Sequence, residues 1–313
     1  MSDGAMSDAA ALSTRRLAWQ RFHRHPLALA SAGMLAVLAA IAAGAPMIEA
    51  ALGIDAARVD LMARLEGPSA QHWLGTDELG RDMFIRLLYG GQVSLLVGIV
   101  TALVAAVIGT LVGLLAGYRG GAIDALLMRL TDSIIALPLL PLLIVLAALD
   151  LGKVGLPDWF TQSQHVSLYR IIAIVALAGW TTSARLVRGT ALSLRERDFV
   201  LAARAQGAKG ARIMFVHILP NLTSPIIVAT TLSAGKIILL ESVLSFLGLG
   251  IQPPVSSWGN LLTNAQQMIQ SAPQFAVYPG LAIFVTVIAF NFLGDGLQDA
   301  LDPRARARVP RRV

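Results

Sequence analysis

The sequence has 313 residues, 56% hydrophobic and only 14% charged, with a mean hydropathy of +0.67. Soluble domains carry about 25% charged residues, so this composition excludes an ordinary water-soluble globule. The net charge is +6 and cysteine is absent, which excludes a disulfide framework or thiolate metal site. The basic residues gather at the ends of apolar runs, the pattern of a membrane protein rather than of a nucleic-acid-binding face.

A helix needs about 20 apolar residues to cross the hydrocarbon core, and the chain offers six candidates in order. Residues 1–25 read as a cytoplasmic tail, whose quasi-duplicated MSDGAMSDAA leaves the start open between Met1 and Met6. Residues 27–48 carry no charge and follow RFHRH. That run exceeds the roughly 7–15 apolar residues of a secretory signal, so 26–50 reads as a retained first span. An outer segment fills 51–91. The second span is expected at about 92–117. The third begins near Leu126, ends before Asp150 and contains Pro138 and Pro141. A fourth runs from about Val166 to Ala184, with Arg170 free to snorkel outward. The fifth, about 220–249, is interrupted only by Lys236 and Glu241, and the sixth lies at about 276–296. The fold class is therefore an all-α, polytopic membrane protein with six transmembrane helices and both termini on one side.

Charge supports that alternation. The N-terminal tail holds Arg15, Arg16, Arg21 and Arg24, and the next inner loop Arg119 and Arg129. Residues 185–212 contribute Arg185, Arg188, Arg195, Arg197, Arg204, Lys209 and Arg212. The C-terminal tail, 301–313, adds Arg304, Arg306, Arg308, Arg311 and Arg312. On the opposite side, 250–275 has no Lys or Arg and 151–165 only Lys153. Lys and Arg favour cytoplasmic loops, which puts both termini in the cytoplasm.

Nucleotide and enzyme chemistry find no foothold. A P-loop requires Gly-Lys followed by Ser or Thr, whereas the three lysines precede Val154, Gly210 and Ile237. No G-x-S-x-G or H-E-x-x-H occurs, and the five histidines show no metal-ligand spacing beyond a lone His23-x-His25, which reads as part of a solvated basic flank. If ATP drives this protein, another chain binds it.

Three constellations remain. Asp198–Gln206 reads as a short amphipathic helix with Asp198 as N-cap, ended by Gly207. A second helical stretch runs from about Ala208 to Ile218-Leu219-Pro220, before the fifth span. This segment either anchors on anionic lipid or presents a small knobbed surface to a partner. Gly75, Gly80, Gly90 and Gly91 with Asp77, Arg81 and Asp82 describe a tight cap before the second span, either ordering the outer segment or docking another protein. Lys236 and Glu241 either pair, with each other or with a partner subunit, or line a route through the membrane. Arg129 and Asp132, three residues apart, read as a local pair. Asp295, Asp299, Asp302 and Arg304 read as closing the last span.

AARAQGAKGARIMFVHILPN (202–221) resembles the EAA loop of ABC importer permeases, which seats a coupling helix in the ATPase subunit. Ala202, Ala203, Gly207, Ile218 and Pro220 match, and Leu201 stands where that pattern has glutamate. HWLGTDELGRDMFIRLLYGGQVSLLVG (72–98) is similar to the signature of the C-type permease subunit of dipeptide, oligopeptide and nickel importers, carried by Gly75, Thr76, Asp77, Gly80, Arg81 and Asp82. Ile85 and Gln92 depart from it. MRLTDSIIALPLLPLLIVLA (128–147), ESVLSFLGLGIQPPVSSWGNLL (241–262) and NFLGDGLQDALDPR (291–304) resemble the rest.

The resemblance implies a type I ABC importer permease fold. A periplasmic segment at 51–91 would precede a five-helix core at 92–300, with a cytoplasmic coupling loop at 186–218. It further implies an inner (plasma) membrane heterodimer with a related permease half, two ATP-binding subunits and an external substrate-binding protein. This chain would then be no enzyme and hold no cofactor, with ATP and magnesium on the partner ATPases. Short peptides are the default cargo, while nickel chelates, glutathione-like peptides and opine or sugar conjugates stay open. The rival classes are an ATPase-independent transporter or channel and a membrane-embedded enzyme.

Overall fold

The computed structural model describes residues 19–149, 157, 163, 165–263, 265–270 and 272–302. The expected basic tail beyond Asp302, Lys153, and Arg15 and Arg16 lie outside them. Among the described residues the regular elements are helices: α1 (Pro26–Ala43), α2 (Ala45–Leu52), α3 (Met83–Arg119), α4 (Gly121–Ala136), α5 (Leu139–Ala147), α6 (Val166–Leu194), α7 (Asp198–Ala205), α8 (Gly210–Phe246), α9 (Trp258–Leu261), α10 (Ala265–Met268) and α11 (Gln274–Leu301). Five of them, α1, α3, α6, α8 and α11, are long and apolar enough to cross a membrane, and the pair α4–α5 makes a sixth span if counted as one.

That pair departs from the single third helix expected. It bends by 86° between Ala136 and Leu139. A residue before proline is pushed out of the helical region, and Leu137 sits at φ −76°, ψ 136°. Pro138, itself extended, starts a new helix whose first bond runs from the Leu142 N–H to the Pro138 carbonyl at 3.1 Å. The second span also starts earlier than expected. α3 begins at Met83, so Gly90 and Gly91 lie inside it rather than in the cap before it.

α8 is a further difference. Pro220 does not open a new helix; it sits within one 37-residue helix running from Gly210. Proline removes one N–H and crowds the carbonyl four residues back. The chain accommodates this by widening to a π-turn over Ile213–Ile218, where the Leu219 N–H reaches the Met214 carbonyl five residues back. The first span is likewise divided, with Gly44 between α1 and α2.

α3 and α6 pair along their length, α8 packs on α3 and α11, and α1 lies against α11 and α3. Close approach of α3 and α6 follows from a small-residue stripe on α3. A Cβ added at Gly109 would stand 2.6 Å from the Ser183 Cβ, at Gly113 2.9 Å from the Val187 Cβ, and at Gly117 2.8 Å from the Ala191 Cβ. On the other side of α3, Leu103, Val107 and Leu111 stay exposed, as a lipid-facing surface requires.

Gly113→Leu should therefore force the helices apart, at an overpacking cost of about 1–3 kcal/mol. Denaturant unfolding of purified protein in detergent should show a lowered midpoint, with Leu111→Ala on the exposed face shifting it much less. Equal shifts for the two variants would contradict the stripe as the contact.

Candidate functional site

The start of α3 gathers all six residues of the outer motif. Asp82 caps the helix by accepting the Ile85 N–H at 2.8 Å, and its second oxygen meets His72 Nδ1 at 2.9 Å. Asp77 Oδ1 accepts the N–H groups of Leu79 and Arg81 at 2.8 and 2.9 Å. Its Oδ2 takes Arg81 Nε at 2.8 Å and also Arg86 Nη1. Thr76 is fully buried; its hydroxyl donates to the Ala63 carbonyl and accepts the Glu66 N–H. Gly80 holds φ +73° with the Asp60 carbonyl pressed where a Cβ would go, so only glycine fits. Both carboxylates are turned inward. Arg86, buried one turn into α3, completes this network and went unrecognised in sequence, because its partner is nine residues away across a turn.

Lys236 and Glu241, expected to act together, part company. Glu241 is fully buried and lines no route. Its Oε1 accepts the hydroxyls of Ser245 at 2.7 Å and Ser257 at 2.8 Å, and its Oε2 that of Ser94 at 3.3 Å. Each serine oxygen then accepts a backbone N–H: Ile251 at Ser245, Asn260 at Ser257 and Trp258 at Ser94, all at 3.1 Å. One carboxylate thus joins α8, α3 and the 248–262 loop. Trp258 slots against Gly90 and Gly91, and its indole N–H reaches the Leu87 carbonyl at 3.0 Å. Those glycines serve close packing rather than a turn.

Lys236, five residues before Glu241, is exposed and makes no hydrogen bond or ion pair among the described residues. It lines a cavity of about 340 Å³ between α3, the α4–α5 bend, α6 and α8.

At the far end of α3, about 55 Å from the cap at 1.5 Å per residue, lies α7. Arg197, extended at φ −79°, ψ 149°, takes the N-cap place expected of Asp198, which becomes the first helical residue with no side-chain cap bond. An acid there still favours the helix dipole. Gly207 at φ +80° ends the helix. The Ala208 N–H bonds to the Ala203 carbonyl and the Gly207 N–H to that of Arg204, at 3.1 and 3.0 Å, the paired bonds of a Schellman turn. The chain then enters α8 directly, so α7 alone forms the short separate helix. Val200, fully buried, docks it against Leu114 of α3, Val187 and Ala191 of α6, and Ile213, Ile218 and Leu222 of α8. Ile218 is in that core, whereas Pro220 is exposed. Arg204 lies 5.9 Å over the Tyr118 ring, and Arg195 donates to the Gly117 carbonyl at 3.3 Å. Away from the core, Phe199, Leu201 and Ala202 face outward, with Phe199 and Leu201 42% and 43% exposed.

Apart from Arg195 with its neighbour Glu196 at 2.9 Å, the ion pairs near this end cross between helices rather than along one. Asp132 meets Arg185 at 2.5 Å, not Arg129. Arg188 grips Asp124 through two bonds of 2.6 and 2.7 Å. Asp299 meets His25 at 3.4 Å, and Arg21 donates to the Asp302 carbonyl at 3.1 Å; Arg304 lies outside the described residues. Spacing along one helix gave no signal for these partners.

Comparison with known proteins places this geometry in context. Residues 109–307 match the family described as "Binding-protein-dependent transport system inner membrane component", and residues 13–68 match "N-terminal TM domain of oligopeptide transport permease C". The chain is 41% identical over 297 residues to a dipeptide transport system permease protein, DppC, of Alkalihalophilus pseudofirmus, covering 95% of this chain and 92% of that one. It is 40% identical to the glutathione transport system permease protein GsiD of Pectobacterium atrosepticum, over 92% and 91% of the two chains. With the oligopeptide transport system permease protein OppC of Bacillus subtilis it shares 35%, over 94% and 91%.

Removing the Glu241 carboxylate should loosen the joint it forms. Glu241→Leu strands the three serine donors, each costing about 1–3 kcal/mol if unsatisfied, whereas Glu241→Gln keeps one acceptor oxygen. Thermal unfolding in detergent, followed by tryptophan emission, should rank wild type above Gln and Gln above Leu. A Leu variant as stable as wild type would show the serines to be indifferent to the carboxylate.

Proposed function

This chain belongs to the family of binding-protein-dependent transport system inner membrane components, as a permease subunit of dipeptide and oligopeptide ABC importers, and on that premise we propose that α7 is the element through which separate ATPase subunits drive it. The observation that carries this reading is the construction of α7. It is a short helix held to the ends of three long helices by the buried Val200, terminated by a glycine turn and outward-facing at Phe199, Leu201 and Ala202.

A push on α7 would travel without slack, since Val200 and the Arg204–Tyr118 contact tie it to α3, and the Arg195–Gly117 bond ties the end of α6, just before α7, to the same helix. The coupling set is Leu201, Ala202, Ala203, Gly207, Ile218 and Pro220. Within it, Leu201 and Ala202 would meet the ATPase, Ala203 and Ile218 hold the docking core, Gly207 sets the turn, and Pro220 imposes the π-turn of α8. With Leu201 in the leading place, the contact is apolar where the family pattern has a glutamate.

The assembly we propose pairs this chain with a related permease half, two ATP-binding subunits and an external binding protein. ATP and magnesium reside on the ATPases, and this chain performs no covalent chemistry. The bundle would sit in the inner membrane with both termini and α7 in the cytoplasm, as the Arg- and Lys-rich segment 185–212 supports. The opposite end, capped by Asp77 and Asp82, would face the binding protein. Transport follows by alternating access, the halves rocking as the ATPases close. Dipeptides and oligopeptides are the cargo most in keeping with the relatives; glutathione is a second reading, favoured by the relatives named for it.

Gly207→Val tests the coupling role. A Cβ at this position meets nothing within 4 Å, so the cost is backbone conformation alone, about 1–2 kcal/mol for a left-handed residue. The variant should insert and co-purify normally while binding-protein-stimulated ATPase activity of the reconstituted complex falls about tenfold or more. Wild-type stimulation in Gly207→Val sinks the assignment.

A further inference from the structure

The cavity beside Lys236 contains chemistry that packing does not use. It lies near the middle of the bundle, bordered by Ala102 and Ala105 of α3, by Ile134 and Leu137 at the α4–α5 bend, and by α6 and α8. Its lining includes one cation, Lys236, and no acid. The other charged residue in this stretch of α8, Glu241, has both oxygens engaged by serines.

Three lining hydroxyls are also unspent. Thr182, Ser183 and Ser233 make no hydrogen bond among the described residues. Elsewhere in the spans Thr190, Thr230, Thr231 and Ser242 each donate to the carbonyl four residues back, whereas Thr101 and Thr286 are unpaired but buried in packing rather than open to a cavity. An ammonium and free hydroxyls at membrane depth call for an opposing partner. A broken helix beside them is tolerated at that depth where it borders a cavity. Sites of this construction, midway through the bilayer beside a discontinuous helix, suit transient substrate binding.

We propose that this cavity is a way-station for a carboxylate borne by the transported molecule, with Lys236 holding the charge and Thr182, Ser183 and Ser233 completing its hydrogen bonds. The proposal rests on the transport reading above and adds to it the chemistry of the site. A lysine suits passage better than an arginine clamp, because its ammonium is a point charge on a flexible stem and gives no bidentate grip. A carboxylate has lone pairs for the ammonium and the three hydroxyls together.

The test uses the complete transporter in liposomes, with radiolabelled dialanine as the probe. Uptake by Lys236→Gln should fall about tenfold, the loss of one charge-assisted contact, while Lys236→Arg, which keeps the charge but can grip the carboxylate with two bonds, should fall between wild type and Lys236→Gln. Binding-protein-stimulated ATPase activity should persist in both. Because the chain has no cysteine, Lys236→Cys gives it a single reactive site, and a membrane-impermeant thiol reagent should label this subunit during ATP turnover. Wild-type uptake by Lys236→Gln, or a Lys236→Cys that stays inert during turnover, overturns the carboxylate site and leaves the coupling reading intact. Failure of Lys236→Gln to co-purify with the partner permease places the lysine at a subunit interface and overturns it too. Absence of stimulated ATPase activity in wild type would instead sink the coupling reading itself.

Discussion

Inside the hydrocarbon core no water is present to solvate a polar group, so each such group must find its partner within the protein. Glu241 is where this constraint acts most strongly. Three serines donate to its carboxylate while accepting backbone N–H groups from Ile251 in the loop after α8 and from Trp258 and Asn260 at the start of α9. That arrangement satisfies three backbone N–H groups of the stretch between α8 and α11 where it lies against the bundle. It also seats Trp258 on Gly90 and Gly91, fixing α3 against α8. The position of α3 governs both functional ends, because one end carries the Asp77–Asp82 cap and the other receives α7.

α3 is best understood as a beam. Its glycine stripe brings α6 close enough for carbonyls and Cβ atoms to interlock, and the Arg188–Asp124 pair ties α6 to α4. Packed cores shift between arrangements rather than deforming smoothly. Under the proposed coupling, motion delivered at Val200 would therefore pass to helices that move as bodies. The hinge-like places are few: the α4–α5 bend, the π-turn in α8 and Gly207. All three adjoin either α7 or the Lys236 cavity, where a transporter needs movement.

Much of this was legible in the sequence because the rules involved are local. Apolar run length gave the spans, the excess of Lys and Arg gave the grouping of loops, and a glycine after Ala205-Gln206 gave the end of α7. Asp82 sits directly before an apolar run, so its nearness to a helix start could be read. Tertiary partners could not. Ser94 and Ser257 look like ordinary small residues, and nothing along the chain says that they meet over Glu241, 147 and 16 residues away. Arg185 reached Asp132 across two helices, displacing the Arg129 that spacing favoured. Asp198 lost the cap to Arg197 because the extended residue fell one position earlier than composition suggested.

By itself, the sequence determined that this is a multi-pass helical membrane protein, which of its connecting segments hold the excess of Lys and Arg, and which stretch resembles a coupling loop. Hydrophobic length and charge distribution act residue by residue, so no fold is needed to read them. Only the tertiary structure decided that Lys236 and Glu241 serve different ends, one facing a cavity and the other buried among serines. Five residues apart on one helix, they point to opposite environments, and environment is set by neighbours from distant parts of the chain. The same holds for Leu201 and Val200: adjacent in sequence, one is held outward and the other becomes the bolt of α7, because three other helices converge on that side alone.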